Sequence, residues 1–354
     1  MTPEVTIVIP HFNRADLLQF TLQSLQEQTL QNWEAIVVDD GSSDDQWNQI
    51  QKFKDERIQF WQRTDGIKGP SRCRNIGLQK ASGRYVIFVD SDDFVAQWAL
   101  KKRVNWMDDK PNSCFAVFPV MLFHHHPGDI NVLWNTLEHA DSDLDRFLRS
   151  DPPWHTSSPI WRRESLLKLN GFNESVMYGD DSDLHTRALL QNLCYDKIVD
   201  TEPDVFIRRS ENDRITNSLS AQLLDSRLTR LAQGSIHVNN LGSKANQQTW
   251  EGQYFMECEF LLFNVNDSSL RIKQVLEMWR QNHLPNGLRQ TIVKAYLTVA
   301  AMTRNRLRLG LRVARRLAML LLPQVYFAKP SGFETATLPH EIYEILCERL
   351  ESAT

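Results

Sequence analysis

The stretch Tyr85-Val86-Ile87-Phe88-Val89-Asp90-Ser91-Asp92-Asp93 joins an apolar run to three carboxylates within four residues. Because a strand inside a parallel sheet is buried on both faces, a continuous apolar run of this length predicts such a strand. Side chains two residues apart leave a strand on the same side, so Asp90 and Asp92 are expected to lie together. Neighbouring carboxylates repel each other unless a cation separates them, so a metal site is one interpretation. An acidic turn that caps a helix is the other.

Three predicted strands precede this stretch, and a helical or turn segment follows each of them. The strands cover residues 5–10, 33–38 and 57–62, and the first helix is expected over residues 15–28. The order β-α-β-α-β-α-β with short connections predicts an α/β, Rossmann-like fold with a mainly parallel sheet flanked by helices. Residues 114–123 are expected to continue the sheet, and residues 141–150 to form an acidic helix.

The composition of the 354-residue chain is that of an ordinary globular protein, with 42% hydrophobic and 24% charged residues. A net charge of -4 argues against a general nucleic-acid-binding surface, so no nucleic-acid partner is expected. The five cysteines are scattered singly, which predicts a reduced, cytoplasmic environment. A strand so close to the first residue and the absence of an apolar run of roughly 20 residues lead us to expect neither a signal peptide nor a spanning helix.

A second pair of acids, Asp39 and Asp40, follows the second predicted strand, and a loop with Arg72 and Arg74 enters the third predicted helix. The carboxyl ends of parallel strands meet at one edge of an open α/β sheet, where ligands bind. Arginines and free N–H groups at a helix start can hold an anionic pyrophosphate, and a strand-end aspartate can accept a hydrogen bond from a base or a ribose hydroxyl. The alternatives are a turn with a helix cap for the acids and solvated surface positions for the arginines.

Five motifs together resemble glycosyltransferase family 2. They are the strand at residues 5–10 with Phe12-Asn13-Arg14, the run Val37-Val38-Asp39-Asp40-Gly41-Ser42, the run Arg74-Asn75-Ile76-Gly77, residues 81–85, and Asp90-Ser91-Asp92-Asp93. They occur in the family's order and at its typical spacings, over about the first 215 residues. The resemblance implies a GT-A fold and an enzyme that transfers a sugar from a nucleotide donor with inversion at the anomeric carbon.

The resemblance also implies roles for residues at the predicted sheet edge. Asp40 would contact the nucleobase, Asp39 would support the same loop, and Asp90 would contact the ribose. Asp92 would ligate a divalent metal, Mn²⁺ or Mg²⁺, through the family's Asp-x-Asp motif. With Arg72 added from its position at the helix start, the candidate donor site consists of Pro10, Phe12, Asn13, Asp39, Asp40, Arg72, Arg74 and Asp90.

A second acidic stretch, Tyr178-Gly179-Asp180-Asp181-Ser182-Asp183, follows the segment Gly171-Phe172-Asn173-Glu174. The family has a Gly-Phe-acid segment before an acid pair that opens a helix, and the resemblance makes Asp181 the general base. A neutral hydroxyl is a poor nucleophile at pH 7, so transfer to a hydroxyl needs such a base. Asp180 stands where the family has a Glu, one methylene longer. Helix capping by these acids is the alternative interpretation.

Three side chains between these stretches, Trp154, His155 and Trp161, are candidate acceptor or supporting residues. Aromatic faces can stack on sugar rings, and His155 can bond to a hydroxyl or a phosphate. Core packing at a bend in the chain is the alternative. The family often has a His in a later segment near the active site, and residues 208–214 contain none.

From about residue 218 the periodicity becomes helical. This change predicts a GT-A catalytic domain over residues 1–216 and an all-α domain over residues 217–354, with a role toward the acceptor, a partner or a membrane surface. Residues 304–322 are amphipathic, with six arginines and no acid. Such a helix can lie on the anionic inner face of a membrane. Packing on its own domain or on a partner is the alternative.

The combined expectation is a metal-dependent inverting glycosyltransferase of glycan or polysaccharide biosynthesis, with UDP as the favoured carrier and a glycan, a lipid-linked sugar or another hydroxyl compound as acceptor. A catalytically inactive GT-A fold that binds a carbohydrate or a partner is the alternative. A sugar-nucleotide pyrophosphorylase would have a Gly-rich loop and a Lys after its first strand, and His11-Phe12-Asn13-Arg14 does not match that pattern.

Overall fold

A computed structural model of the protein describes residues 2–65, 68–209, 220–282, 287–303, 308–327 and 334–352. The chain forms two compact units. The first comprises Met1–Ala140, Pro152–Asn217 and Ser331–Thr354, and the second comprises Asp141–Asp151 and Ser218–Pro330.

The strands of the described residues all belong to the first unit. They are β1 (Val5–His11), β2 (Trp33–Asp39), β3 (Ile58–Gln62), β4 (Tyr85–Phe88), β5 (Phe94–Val95), β6 (Phe115–Val117), β7 (Val120–Phe123), β8 (Pro159–Arg162), β9 (Tyr195–Lys197) and β10 (Val205–Arg208).

The α-helices of the described residues are distributed over both units. They are α1 (Ala15–Gln26), α2 (Asp44–Ile50), α3 (Pro70–Lys80), α4 (Ala99–Asp109), α5 (Asp143–Leu148), α6 (Arg163–Lys168), α7 (Asp180–Leu190), α8 (Ala221–Leu241), α9 (Lys244–Asn264), α10 (Ser269–Asn282), α11 (Gly287–Thr303), α12 (Arg308–Leu321) and α13 (His340–Glu351).

The main sheet of the first unit has seven strands in the order β3-β2-β1-β4-β8-β6-β9. Strands β3, β2, β1 and β4 are parallel to one another, whereas β8 is antiparallel to both β4 and β6. The sheet is therefore mainly parallel, as the sequence predicts. A second sheet has the order β5-β10-β7. The predicted continuation over residues 114–123 is split between the two sheets, because Pro119 interrupts it and cannot donate a ladder hydrogen bond.

The register of the sheet brings the polar loops to one edge. His11 pairs with Asp39, and Val8 pairs with Phe88, so the loops that follow β1, β2 and β4 leave the sheet side by side. Helix α3 packs closely on β1 at Gly77, where an added Cβ would lie 2.3 Å from a methyl carbon of Val8. This contact holds α3 against β1. A core of apolar side chains, including Leu18, Leu22 and Leu25 of α1, covers the sheet.

Two helices belong to a different unit from the one that a boundary after residue 216 predicts. Helix α13 belongs to the first unit, where the Tyr343 hydroxyl donates to the carbonyl of Gly128 at 2.7 Å. Helix α5 belongs to the second unit, where the Gln253 side chain donates to the carbonyl of Leu148 at 2.7 Å. Long-range contacts of this kind leave no periodicity signal in the sequence.

The second unit contains α5, α8 to α12 and a short 3₁₀ helix at Gln324–Phe327. Helices α11 and α12 contain most of the described residues between 287 and 322. Residues 304–307, which open the predicted basic segment 304–322, lie outside the described residues. None of the described helices combines the length and the apolar character that a membrane span requires.

Candidate functional site

Asp39 holds the loop after β2 in shape. Its side chain is fully buried and accepts hydrogen bonds from the backbone N–H groups of Gly41 at 3.0 Å and Ser42 at 2.9 Å, and from the Ser42 hydroxyl. Gly41 has a φ of 85°, a conformation that glycine adopts without strain. The Asp39 carboxylate therefore fixes the backbone of the turn at Gly41 and Ser42.

Asp40 is held by Arg63, which no motif in the sequence identifies as a site residue. Its carboxylate lies 2.6 Å from Nε of Arg63, which follows β3, and it accepts a hydrogen bond from the backbone N–H of Gly69 at 3.0 Å. The Asp40 backbone N–H donates to the carbonyl of His11 at 2.8 Å. The loops after β1, β2 and β3 therefore meet at Asp40.

The loop after β1 is joined to the loop after β2. Asn13 adopts a φ of 50°, its N–H donates to the Ser42 hydroxyl at 2.8 Å, and its side-chain oxygen accepts from the N–H of Ser43 at 2.9 Å. The exposed Phe12 ring carries the Lys68 ammonium 3.6 Å from its centroid, and Pro10 lies in β1 beside Val38. The predicted donor residues of these two loops thus lie next to one another.

Arg74 is the bridge between the two acidic stretches. Its side chain is buried, with one guanidinium nitrogen 2.8 Å from Asp90 and another 2.7 Å from Asp180. Asp180 also accepts a hydrogen bond from the Ser71 hydroxyl at 2.9 Å. Burial acts to raise the pKa of Asp90, but the Arg74 guanidinium and the His155 ring hold it below its usual value. Residues 90 and 180, far apart in sequence, therefore share one site.

Asp181 has the electrostatics of a poised base. It lies in the first turn of α7, and the preceding Gly179 has a φ of 68°, in the left-handed region that favours glycine. Burial, with a contribution from Asp180, raises the pKa of Asp181 to about 6. The backbone N–H of Ser182 donates to its carboxylate at 2.7 Å. A carboxylate with this pKa is mostly ionised at pH 7 and still basic enough to accept a proton.

Asp92 forms an ion pair with Arg14, for which the sequence predicts no role. The two side chains meet at 2.8 Å, and the side chain of Asp92 is 15% exposed. Burial and the neighbouring Asp90 raise the pKa of Asp92, while Arg14 opposes this shift. Arg208, from β10, donates to the backbone carbonyl of Asp92 at 3.1 Å. Arg14, just before α1, and Arg208, in β10, thus hold the Asp-x-Asp loop.

Asp93 braces the same loop from inside. It is 1% exposed, its backbone carbonyl accepts from the Thr21 hydroxyl at 2.7 Å, and its carboxylate accepts from the N–H of Arg208 at 3.2 Å. Burial and the neighbouring Asp92 raise the pKa of Asp93 well above its usual value. Asp93 therefore stabilises the loop rather than offering a free carboxylate to a ligand.

Arg72, predicted as an anion ligand, contacts Asp65 and Glu174 in the described structure, with the Glu174 carboxylate at 3.1 Å. Its side chain is 27% exposed. Asp183, two residues after Asp181, forms an ion pair with Arg187 at 2.8 Å within α7.

The sugar-stacking role suggested for Trp154 and Trp161 is wrong, because both side chains are buried in the core. They are 1% and 0% exposed, and the ring of Phe115 is stacked on Trp161 with centroids 4.1 Å apart. Trp161 lies in β8, between β4 and β6, so its ring faces the interior of the unit. His155 is half-buried, and its ring helps to lower the pKa of Asp90.

The residues present fit a divalent cation only if a ligand completes its coordination. Within the described residues, no group of three or more His, Cys, Asp or Glu side chains could hold a metal ion. Asp90 and Asp92 nevertheless place hard oxygen donors at one loop, and Mg²⁺ commonly binds one or two carboxylates together with substrate phosphates. The donor chemistry of the loop therefore suits a metal that binds with a diphosphate.

Comparisons with known proteins bear on the family and the fold of this chain. The family described as Glycosyl transferase family 2 matches residues 6–146. The chain is 38% identical over 104 residues to the Escherichia coli protein "UDP-Glc:alpha-D-GlcNAc-diphosphoundecaprenol beta-1,3-glucosyltransferase WfaP", over 29% of this chain and 41% of that protein. It is also 38% identical over 100 residues to the Campylobacter jejuni protein "GalNAc(5)-diNAcBac-PP-undecaprenol beta-1,3-glucosyltransferase", over 28% of this chain and 32% of that protein. These matches span less than half the length of the curated relatives.

A solved structure extends the similarity of the fold beyond that segment. The crystal structure of S. aureus TarS 1-349 in complex with UDP-GlcNAc aligns with a TM-score of 0.65 and 17% identity, and covers 88% of this chain and 90% of that one. The predicted GT-A fold is thereby confirmed, with helices following it toward the C-terminus. With its sheet-edge motifs, the N-terminal part of the chain, residues 6–146, matches glycosyl transferase family 2.

Proposed function

We propose that the chain is a metal-dependent inverting glycosyltransferase, which moves a sugar from a nucleoside diphosphate sugar to an acceptor hydroxyl. The observation that carries the proposal is the Arg74 bridge, which joins Asp90 of the donor loop to Asp180, the residue next to Asp181. A transferase needs a donor site and a base side by side, and this bridge accounts for their proximity. UDP is the favoured carrier, because a relative's name contains UDP-Glc.

The donor would lie along the sheet edge. The nucleobase would meet the loop of Asp40, the aromatic face of Phe12 would flank it, and the ribose would meet Asp90. Pro10, Asn13 and Asp39 would shape this surface, while Arg72 and Arg74 would contribute positive charge near the phosphates. Asp40 and Asp39 already have protein partners that fix their orientation, so they are preorganised for a ligand.

In the transfer step, Asp181 would take the proton of the acceptor hydroxyl as that oxygen attacks the anomeric carbon. The bond from the sugar to the diphosphate breaks on the opposite face, and the nucleoside diphosphate leaves with the bonding electrons. The products are an inverted glycoside, the nucleoside diphosphate and protonated Asp181. Asp180 and Arg74 would position Asp181 rather than react.

Asp92 would hold the divalent cation, with Asp90 nearby. When bound, a Mn²⁺ or Mg²⁺ ion supplies Lewis acidity that stabilises the negative charge on the departing diphosphate. Arg14 and Arg208 keep the Asp92 loop in place through contacts at 2.8 Å and 3.1 Å. The chain itself thus supplies the orientation of the carboxylate.

A lipid-linked sugar is the favoured acceptor. Both named relatives carry the words diphosphoundecaprenol or PP-undecaprenol in the description of their substrates. His155 is the candidate for contact with the acceptor or a phosphate, because it is half-buried and its ring helps to lower the pKa of Asp90.

The experiment that tests the proposal is a thermal-shift screen with UDP, GDP, dTDP and CMP, each with and without Mn²⁺. A ligand that binds only the folded state adds about 2.7 kcal/mol of stability at a hundred times its Kd. We expect UDP to raise the midpoint, and Mn²⁺ to increase that shift. A catalytically inactive, carbohydrate-binding fold would instead show no shift with any of the nucleotides.

Replacing Asp92 with Asn should remove the effect of Mn²⁺ on nucleotide binding. The substitution keeps the size of the side chain but removes the charge that attracts the cation. We expect the metal-free UDP affinity to change little and the Mn²⁺-dependent part of the binding enthalpy to disappear in calorimetry. Asp45→Asn, at an exposed carboxylate in α2, is the control and should leave both unchanged. Equal Mn²⁺ enhancement in Asp92→Asn and wild type would exclude Asp92 as the metal ligand.

Replacing Asp40 with Asn should weaken UDP binding with or without Mn²⁺. The variant loses the ion pair with Arg63 and a charged acceptor for Gly69, so the loop is no longer fixed. A lost hydrogen bond to a charged group is worth about 1.5–3 kcal/mol, which corresponds to roughly a 10- to 100-fold rise in Kd. Calorimetric titration measures the Kd of UDP. An unchanged Kd would mean that the nucleobase binds away from Asp40.

A further inference from the structure

One part of the second unit is strongly basic in an otherwise acidic protein. Residues 278–330 contain ten Lys and Arg residues and no Asp or Glu, whereas the whole chain has a net charge of -4. Charge of one sign that is concentrated in one segment creates a local potential that attracts the opposite sign. Helix α12 lies within this segment.

Helix α12 also exposes an apolar stripe. At 3.6 residues per turn, positions i, i+4, i+7 and i+8 fall on one face of a helix. Ala318 and Leu322 are 2% and 5% exposed and form the buried side of this segment. The stripe on the other side consists of Val313 (49% exposed), Leu317 (54%), Leu320 (79%) and Leu321 (62%).

Exposed arginines flank this stripe. Arg312, Arg315 and Arg316 are all exposed, and Arg312 and Arg316 fall beside the stripe on one flank of the helix. Arg315 lies on another side, where it reaches within 3.7 Å of Glu259 of α9. An apolar face bordered by arginines is the pattern of helices that lie in a membrane interface, since the long arginine stems let the charge reach the headgroups.

We propose that α12 docks the protein on an anionic lipid bilayer, with the stripe in the boundary between headgroups and acyl chains and with Arg312 and Arg316 on the headgroup phosphates. Charge complementarity favours this occupant over a second copy of the chain, whose own α12 would bring arginines against arginines. Nucleic acid would satisfy the arginines but would leave the exposed leucines in water. The proposal stands independently of the proposed transferase activity.

Vesicle flotation of the full chain tests the proposal. The probes are vesicles of phosphatidylcholine alone and of phosphatidylcholine mixed with phosphatidylglycerol, each at low and at high salt. One variant removes charge (Arg312→Gln with Arg316→Gln) and another removes apolar area (Leu317→Ser with Leu320→Ser). The controls are Leu270→Ser, a 76% exposed leucine of α10, and Lys52→Gln with Lys54→Gln, two exposed lysines of the other unit. An unchanged melting midpoint shows that each variant folds.

We expect the wild-type protein and both controls to float with the anionic vesicles, and less so at high salt. Loss of two arginines should weaken partitioning about 30-fold, at about 1 kcal/mol per basic residue. Loss of two leucines should weaken it on the order of 100-fold. No flotation of the wild type, or flotation that the leucine variant retains in full, would overturn the proposal. Two other results would also overturn it. One is a dimer, detected by light scattering, that the leucine variant dissociates while the protein does not bind vesicles. The other is binding to DNA that depends on the arginines, without flotation.

Discussion

Replacing Asp181 with Asn is expected to lower kcat for sugar transfer by about 10²- to 10⁴-fold, the usual contribution of a general base. Asparagine has nearly the same shape but cannot accept the proton of the attacking hydroxyl. UDP binding should persist, because the proposed donor contacts are made by other residues. Steady-state transfer assays and UDP calorimetry on the same preparation measure the two effects separately.

Loss of the Asp181 carboxylate should not unfold the protein. Burial raises the pKa of this carboxyl to about 6, so ionisation at pH 7 destabilises the folded state relative to the unfolded chain. The variant should therefore melt at the same temperature or higher at pH 7 to 8. A variant that loses both activity and folding would make Asp181 a structural residue rather than a base.

The same pKa predicts the acid limb of the pH profile. A base must be unprotonated to act, so kcat/KM of the wild type should fall as the pH drops through about 6. The residual rate of Asp181→Asn should lack this limb. Persistence of the limb in the variant would assign it to another group.

Replacing Arg74 with Gln is expected to lower the free energy of unfolding by about 3–5 kcal/mol, because it leaves two carboxylates without their shared cation. The partly exposed Asp90 regains some hydration, whereas Asp180 is buried, so the loss arises mainly at Asp180. Transfer activity should also fall strongly, since the first turn of α7, which carries Asp181, loses its support. Arg74→Lys keeps the charge but not the two guanidinium nitrogens that contact Asp90 and Asp180, and should lose about half as much stability. Urea unfolding measures both variants.

Arg72 offers a matched control two residues away. It is 27% exposed and its acidic partners are also partly exposed, so Arg72→Gln should cost at most about 1 kcal/mol. The difference in stability between wild type and Arg74→Gln should become smaller as the pH falls, because protonation of Asp180, whose pKa burial raises, and then of Asp90 removes the charges that Arg74 neutralises. Equal defects in the two variants, or a defect independent of pH, would contradict the bridge.

The sequence predicts the sheet edge because the signal there is local. Apolar runs that end in acids mark the strand ends at Asp39 and Asp90, and parallel strands must bring such ends together. The start of α7 at Asp180 is predictable for the same reason, since an acid pair after a glycine marks a helix start. The family resemblance adds roles to residues that this pattern already selects.

The partners of these acids are not predictable from local signals. Arg63 reaches Asp40 from the end of another strand, and Arg208 reaches Asp92 from β10, over more than a hundred residues of sequence. The sequence alone allows Trp161 either to stack on a sugar or to pack in the core. Only the insertion of the antiparallel strand β8 into the sheet decides that its ring faces the core. Pairings of this kind depend on the folded topology, which no single stretch of sequence encodes.

The measurement that tests the central claim most directly is proton NMR of the transfer reaction. An α-linked UDP sugar and a diphosphate-lipid sugar acceptor are mixed with Mn²⁺ and either the wild type or Asp181→Asn, and the anomeric signal of the new glycoside is followed. We predict a β-linked product from the wild type and, over the same time, almost none from the variant. An α-linked product, or equal product from both proteins, would contradict an inverting mechanism with Asp181 as the base.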